Sequence, residues 1–227
     1  MFFQERIRGI RADDQVLEIG PGSDPHPRSD VLLELQYDKE EDRKAQFGHG
    51  TGLQTEKKIV YYDGRVFPFE DKSFDYVICS HVLEHVDDVE GFLKEIFRVA
   101  SKGYFEYPLA YYEYLYNFDV HLNLLKFEQG MLYCMKKSQT HLDEFKGIQI
   151  FYLDALRKGH SGHIENLLPL MMEGFEWEQP FKFTATKNMA DILWKNYEIP
   201  LFKPVSSNNY SAFYHFKAMV RKLIHLK

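Results

Sequence analysis

Short apolar runs punctuate the first half of the chain: Val16–Ile19, Val31–Leu35, Lys58–Tyr62, Phe74–Cys79 and Tyr104–Tyr107. Each has strand length and is rich in β-branched or aromatic residues. Turn formers bound them: Gly20-Pro21-Gly22 after the first, Asp63-Gly64 after the third, Pro108 after the last. Between the last two runs, Val89, Phe92, Leu93, Ile96, Phe97 and Ala100 recur at helical spacing, with Asp87 or Asp88 placed to cap them. Strands alternating with helical or loop connections predict a doubly wound α/β domain with a mostly parallel sheet. One connection is cramped. Only Ser23 to Asp30, with Pro25 and Pro27 among them, separates Gly22 from the second strand, so the first helix is reduced to a turn at most.

Past Pro108 the pattern changes. YYEYLYNFDVHLNLL is aromatic and irregular, GMLYCMKK suits a strand, and residues 162–173 suggest a helix interrupted by Pro169. FEWEQPFKFTATK is extended in character and fits a late hairpin on the sheet edge. The stretch YEIPLFKPVSSNNYS has the composition of a linker. Residues 210–227 then form a basic, apolar helix candidate. These boundaries divide the chain into a domain over 1–200, with 108–175 as an elaboration, and a linker plus basic amphipathic helix over 201–227.

Composition narrows the classes. At 44% hydrophobic and 27% charged the chain resembles an ordinary soluble domain. A net charge of -6 argues against nucleic acid as a partner. Cys79 and Cys134 form no disulfide or metal framework, which fits a reducing, cytoplasmic setting. The N-terminal stretch lacks the apolar core of a signal peptide, and no run approaches the ~18 apolar residues of a membrane span.

The chemistry collects at the strand ends. Open parallel sheets bind ligands beyond their carboxyl ends, where strand order reverses. Gly20 and Gly22 allow a tight turn and a close ligand approach. The dinucleotide fingerprint lacks its third glycine and its helix, which disfavours a nicotinamide-dependent oxidoreductase. Glu34 ends the second strand, where a carboxylate accepts from ribose hydroxyls. Asp63 ends the third, where it suits an adenine amino group, and Asp24 lies in the glycine turn. Acids in these places repel phosphate but suit a ligand bearing an ammonium and a sulfonium. S-adenosylmethionine has both.

VLEIGPGSDPHPRSDVLLEL, YYDGRVFPFEDKSFDYVICSHVLEHVDD and FLKEIFRVASKGYFEYP resemble the class I S-adenosylmethionine-dependent methyltransferases, specifically the methyltransferase type 11 family. The likeness runs from about residue 14 to residue 108; the near-absent first helix and the Pro-His-Pro insert depart from it. It implies a Rossmann-like fold with S-adenosyl-L-methionine as cofactor. Residue by residue, it implies that Glu18, Gly20 and Gly22 shape the methionine end, Glu34 takes the ribose, and Asp63 with Gly64 takes the adenine edge. It also implies that Ser80, His81 and Val82 form the floor near the reactive methyl.

His81-Val82-Leu83-Glu84-His85 also fits H-x-x-E-H, a zinc-peptidase pattern. That pattern needs a helix with both histidines on one face, whereas here the string follows a buried strand and the family pattern explains every letter. A weaker metal reading puts His81, Glu84 and His85 on one helical turn. The structural alternative, bracing of the following loop, is preferred, and no metal is expected. Methyl transfer relies chiefly on positioning, and a hydroxyl acceptor also needs a base. His81 has the best implied location for that base. His121 lies in the aromatic insert, which would fold over the site as a lid; His85 and His141 are the remaining candidates.

The aromatic cluster Tyr104–Phe127 fits an acceptor pocket, core packing or a homo-oligomer interface. In the tail, Phe213, Phe216, Val220, Leu223 and Ile224 fall near one helical face, and Lys217, Arg221, Lys222 and Lys227 are basic. Such a helix suits peripheral contact with an anionic membrane through 210–227, or docking on its own domain or another copy. The expected function is methyl transfer to a small-molecule or glycan/lipid-linked acceptor at oxygen or nitrogen. The alternative is a non-catalytic protein of the same fold acting as a binding module.

Overall fold

The computed structural model describes residues 1–37, 53, 55–160 and 167–193. Met1–Leu193 form one compact unit, to which all that follows refers. The linker and basic helix expected over 201–227 lie outside the described residues.

Six strands form the main sheet: β1 (Val16–Ile19), β2 (Val31–Leu35), β3 (Lys58–Tyr62), β4 (Tyr76–Ser80), β5 (Gly103–Pro108) and β8 (Met172–Trp177). Their order is β3-β2-β1-β4-β5-β8. The first five run parallel and β8 closes the edge antiparallel to β5. β1 is buried at every position, which is why its sequence is a run and not an alternation. Strand order reverses between β1 and β4, so the carboxyl ends of these two strands frame the crevice where such sheets take ligands.

Register sorts the two faces. Val16, Tyr76, Ile78 and Tyr104 form a cluster on one face, covered by Met1, Ile7 and Ile10 of the N-terminal segment. The N-terminal segment, with a 3-10 turn at Gln4–Arg6, thus does here what a helix does in a fully wound sheet. The other face receives α1 (Val89–Val99), which buries Val89, Phe92, Leu93, Ile96 and Val99. Asp88 is its cap, accepting from Gly91 N at 2.9 Å.

The region after Pro108 is more ordered than its sequence suggests. The aromatic stretch forms α2 (Ala110–Tyr116), ended by Asn117 in the left-handed conformation, and then β6 (Asn123–Glu128). β6 and β7 (Met131–Lys136) make a hairpin whose turn residues, Gln129 and Gly130, both have positive φ, as a two-residue hairpin turn requires. The expected late hairpin does not form. Its first arm is β8, in the main sheet, and its second, β9 (Lys182–Ala185), pairs parallel to β7 in a separate sheet ordered β6-β7-β9. Of the helix expected over 162–173, residues 162–166 lie outside the described residues; Pro169 sits in the first turn of a short helix, Leu168–Met171, where its missing N–H is harmless, and Met172 already belongs to β8. Helix α3 (Lys146–Arg157) gave no sequence signal that was recognised.

Tyr112 and Tyr116 are buried beside Met172, so these aromatics pack as core. Phe127 stacks on Phe175 with centroids 4.0 Å apart, and Phe181 packs against both, joining the small sheet to the main one.

Truncating the centre of the β4 face tests this packing. Ile78 is fully buried in the cluster under the N-terminal segment. Ile78→Ala is expected to cost about 2–5 kcal/mol, read as a lower midpoint in urea with an unchanged slope.

Candidate active site

The carboxyl edge of the parallel strands carries the expected residues. Gly20 and Gly22 both adopt left-handed φ, +59° and +65°. A Cβ on Gly20 would also lie 2.7 Å from Val82 Cγ2, so the glycine turn packs directly on the turn that follows β4. Gly22 has open space around it.

Glu18 faces inward, into the shortened connection. Its Oε2 accepts from Ser29 Oγ at 2.6 Å and from His26 N at 2.8 Å. Burial raises this carboxyl, and the two donors work against that rise. Lys57 completes the clasp, donating to the carbonyls of His26, Pro27 and Ser29 at 2.9, 2.9 and 2.6 Å. Lys57 went unrecognised in the sequence. Glu18 therefore shapes the glycine turn by holding the loop behind it.

Glu34 is buried at the end of β2, with Oε1 3.2 Å from Leu35 N. Asp63 is exposed just past β3 and accepts from Arg65 N at 3.0 Å, which fixes the turn at Gly64, where φ is +86°. Asp24 is exposed beside the glycine turn.

Past β4 the chain bends sharply. His81 has φ +56°, unusual for a residue with a side chain. The ring is clamped on both sides: Nδ1 lies 3.2 Å from Glu84 Oε1 and Nε2 lies 3.1 Å from Glu106 Oε1. Burial works against a charged imidazole, but the carboxylates of Glu106 and Glu84 override it and raise the group to about 9. Both ring nitrogens thus face carboxylates, and His81 bridges Glu84 and Glu106.

Glu106 is the partner that sequence reasoning missed. A carboxylate inside GYFEYP, where every other residue is buried, was the available signal. It collects Phe2 N (2.6 Å), Phe3 N (3.1 Å), Ser80 Oγ (3.0 Å), Tyr104 Oη (2.8 Å) and His81 Nε2. Burial pushes its carboxyl up, yet His81 and the other donors prevail and hold it near about 2.

The residues 83–85 form a 3-10 turn, not the α-helix that the zinc-peptidase pattern needs. Glu84 is buried there, and burial lowers the basicity of the His85 imidazole. Leu122 N donates to Glu84 O at 2.6 Å, and Asn123 Nδ2 to the carbonyls of Leu83 and Val86 at 3.0 and 2.6 Å, tying the turn to the loop before β6. His121 lies on that loop, with Nδ1 2.5 Å from Glu113 Oε1. The structure brings His121 beside His85, ring centroids 4.7 Å apart, and leaves His141 exposed.

Breaking the clamp at Glu106 takes the charged acceptor away from five buried or part-buried donors. Glu106→Gln is expected to lower stability by about 3–5 kcal/mol. His81→Ala, which leaves two buried carboxylates facing each other, is expected to be destabilising as well. Chemical denaturation of the purified variants measures both.

The sequence model described as "Methyltransferase domain" matches residues 34–105. Ajmaline N-methyltransferase of Rauvolfia serpentina is 36% identical over 52 residues, covering 23% of this chain and 18% of that protein. Demethylmenaquinone methyltransferase of Staphylococcus aureus is 29% identical over 126 residues, covering 56% of this chain and 40% of that protein. The chain thus spans less than half the length of these curated relatives. Among solved structures, the YcgJ protein of Bacillus subtilis aligns with a TM-score of 0.35 at 19% identity, over 50% of this chain and 57% of that one. Over residues 34–105 the chain is similar to the type 11 family of methyltransferase domains, whose methyl donor is S-adenosylmethionine.

Proposed function

We propose that this protein transfers a methyl group from S-adenosylmethionine to a small-molecule or glycan- or lipid-linked acceptor, at oxygen or nitrogen. The observation that carries the reading is convergence at one sheet edge. The left-handed Gly20-Pro21-Gly22 turn, the buried Glu34, the Asp63-Gly64 turn and the Ser80-His81-Val82 bend follow successive members of the β3-β2-β1-β4 array. When bound, S-adenosylmethionine supplies an electrophilic methyl on a sulfonium, and that methyl passes to the acceptor heteroatom as the carbon–sulfur bond breaks.

The chain's own residues divide the work of binding and orienting. Glu34 accepts from the ribose hydroxyls and Asp63 from the adenine amino group. Gly20 and Gly22 let the backbone approach the methionine portion without a Cβ in the way. Asp24 offers an exposed carboxylate on the same turn. A connection with no helix and several acids suits a donor without phosphate. Positioning of donor and acceptor supplies most of the rate in such a displacement.

Calorimetric titration of the full chain with S-adenosylmethionine, S-adenosylhomocysteine and NAD tests the reading. The two sulfur nucleosides are expected to bind and NAD is not. Glu34→Ala and Asp63→Ala should each weaken binding at least about tenfold, since a hydrogen bond to a charged group contributes about 1.5–3 kcal/mol. A folded protein that binds neither sulfur nucleoside would give the lead to a non-catalytic binding module.

A further inference from the structure

The turn after β4 also carries donor atoms that the cofactor site does not use. One ligand atom each from Glu84, His85 and His121 lie within 4.8 Å of one another. The hydrogen bonds show which atoms are spoken for. Glu84 Oε1 faces His81, while Oε2 is buried with no hydrogen-bond partner among the described residues. His85 Nδ1 lies 3.0 Å from the Val120 carbonyl, so that nitrogen carries the proton and Nε2 keeps the lone pair. His121 Nδ1 is held by the Glu113 carboxylate, which again leaves Nε2 as the acceptor. Lys137 Nζ, 3.3 Å from Glu113 Oε2, fixes that carboxylate in turn.

A fully buried carboxylate oxygen without a donor calls for an explanation, and a cation is among the standard ones. Here it sits beside two imidazoles whose far nitrogens are oriented by a carbonyl and a carboxylate. That is the outer arrangement that metal-ligating histidines ordinarily have. We propose that Glu84, His85 and His121 bind one divalent ion of the zinc class, in a two-histidine, one-carboxylate site with its remaining positions open. Two nitrogen donors favour such an ion over magnesium or calcium, which take oxygen. Zinc bonds of about 2.0–2.2 Å place neighbouring donors roughly 3.3 Å apart, so side-chain rotation of about an ångström closes the set. Backbone and Asn123 hydrogen bonds already join the two segments that supply the ligands.

The site differs from the weaker metal reading of the sequence. His81 is not a ligand, because both its nitrogens face carboxylates, and the third donor comes from the loop before β6. It also replaces the general-base role expected of His121, whose free nitrogen is given to the ion. The proposal stands apart from methyl transfer and holds or fails without it.

The test uses the full, untagged chain, stripped with a chelator and titrated with zinc chloride by calorimetry and with cobalt(II) by visible spectroscopy. One ion per chain is expected, with cobalt giving the ligand-field bands of a low-coordinate nitrogen–oxygen site, and magnesium failing to compete. Glu113→Gln should weaken zinc about 10–100-fold, as loss of an outer partner does, and His121→Ala should weaken it further. His141→Ala, at an exposed histidine, should change nothing. Absence of stoichiometric binding overturns the site, as does binding unchanged in His121→Ala or lost in His141→Ala. Should Glu84→Gln fail to fold, the wild-type cobalt spectrum and the His121 variant still decide.

Discussion

The Glu106 carboxylate is the interaction on which the carboxyl edge of the sheet depends. It sits inside a strand buried at every position, where an isolated charge would be far too costly to keep. Its two oxygens gather donors from the N-terminal segment, from β4, from its own strand and from the His81 ring. The donors come from the N-terminal segment, from the end of β4 and from its own strand, so satisfying one charge fixes three pieces relative to each other. The left-handed bend at His81 follows from this. Backbone in that region is strained for a residue with a side chain, and it persists only where the surroundings over-determine it. Carboxylates on both sides of the ring do so here.

A second constraint arises from the truncated connection between β1 and β2. In a fully wound sheet a helix at this point would satisfy its own backbone groups. Eight residues with two prolines cannot form one, so side chains must satisfy them instead. Lys57 takes three of the loop's carbonyls, and Glu18 takes an amide and a hydroxyl. The two charges serve the loop from opposite sides. The loop stays tight enough for the glycine turn to rest on Val82, which links the first strand's turn to the fourth's.

The parallel sheet was legible because burial forces continuous apolar runs, and all five parallel strands stand within a few residues of where those runs lie. The α1 helix was legible because one face is buried and an aspartate caps it. The region after Pro108 was not. Its tyrosines serve a second core, so their spacing reflects packing against α3 and Met172 more than any single period. The two arms of FEWEQPFKFTATK look like a hairpin locally, yet each finds a better partner in a different sheet. At the site, residue types at strand ends could be read, but their partners could not. Glu106 and Glu113 act through contacts distant in sequence, and nothing local distinguishes them from other acids.

The clamp at His81 also bears on the proposed methyl transfer. The bend after β4 is where the resemblance places the floor beneath the reactive methyl. A neutral imidazole there would be a nucleophile in its own right, competing with the acceptor for an electrophilic carbon. Here both ring nitrogens face carboxylates, and Glu106 and Glu84 raise the group to about 9 against the effect of burial. The two carboxylates thereby make a histidine tolerable at that buried position.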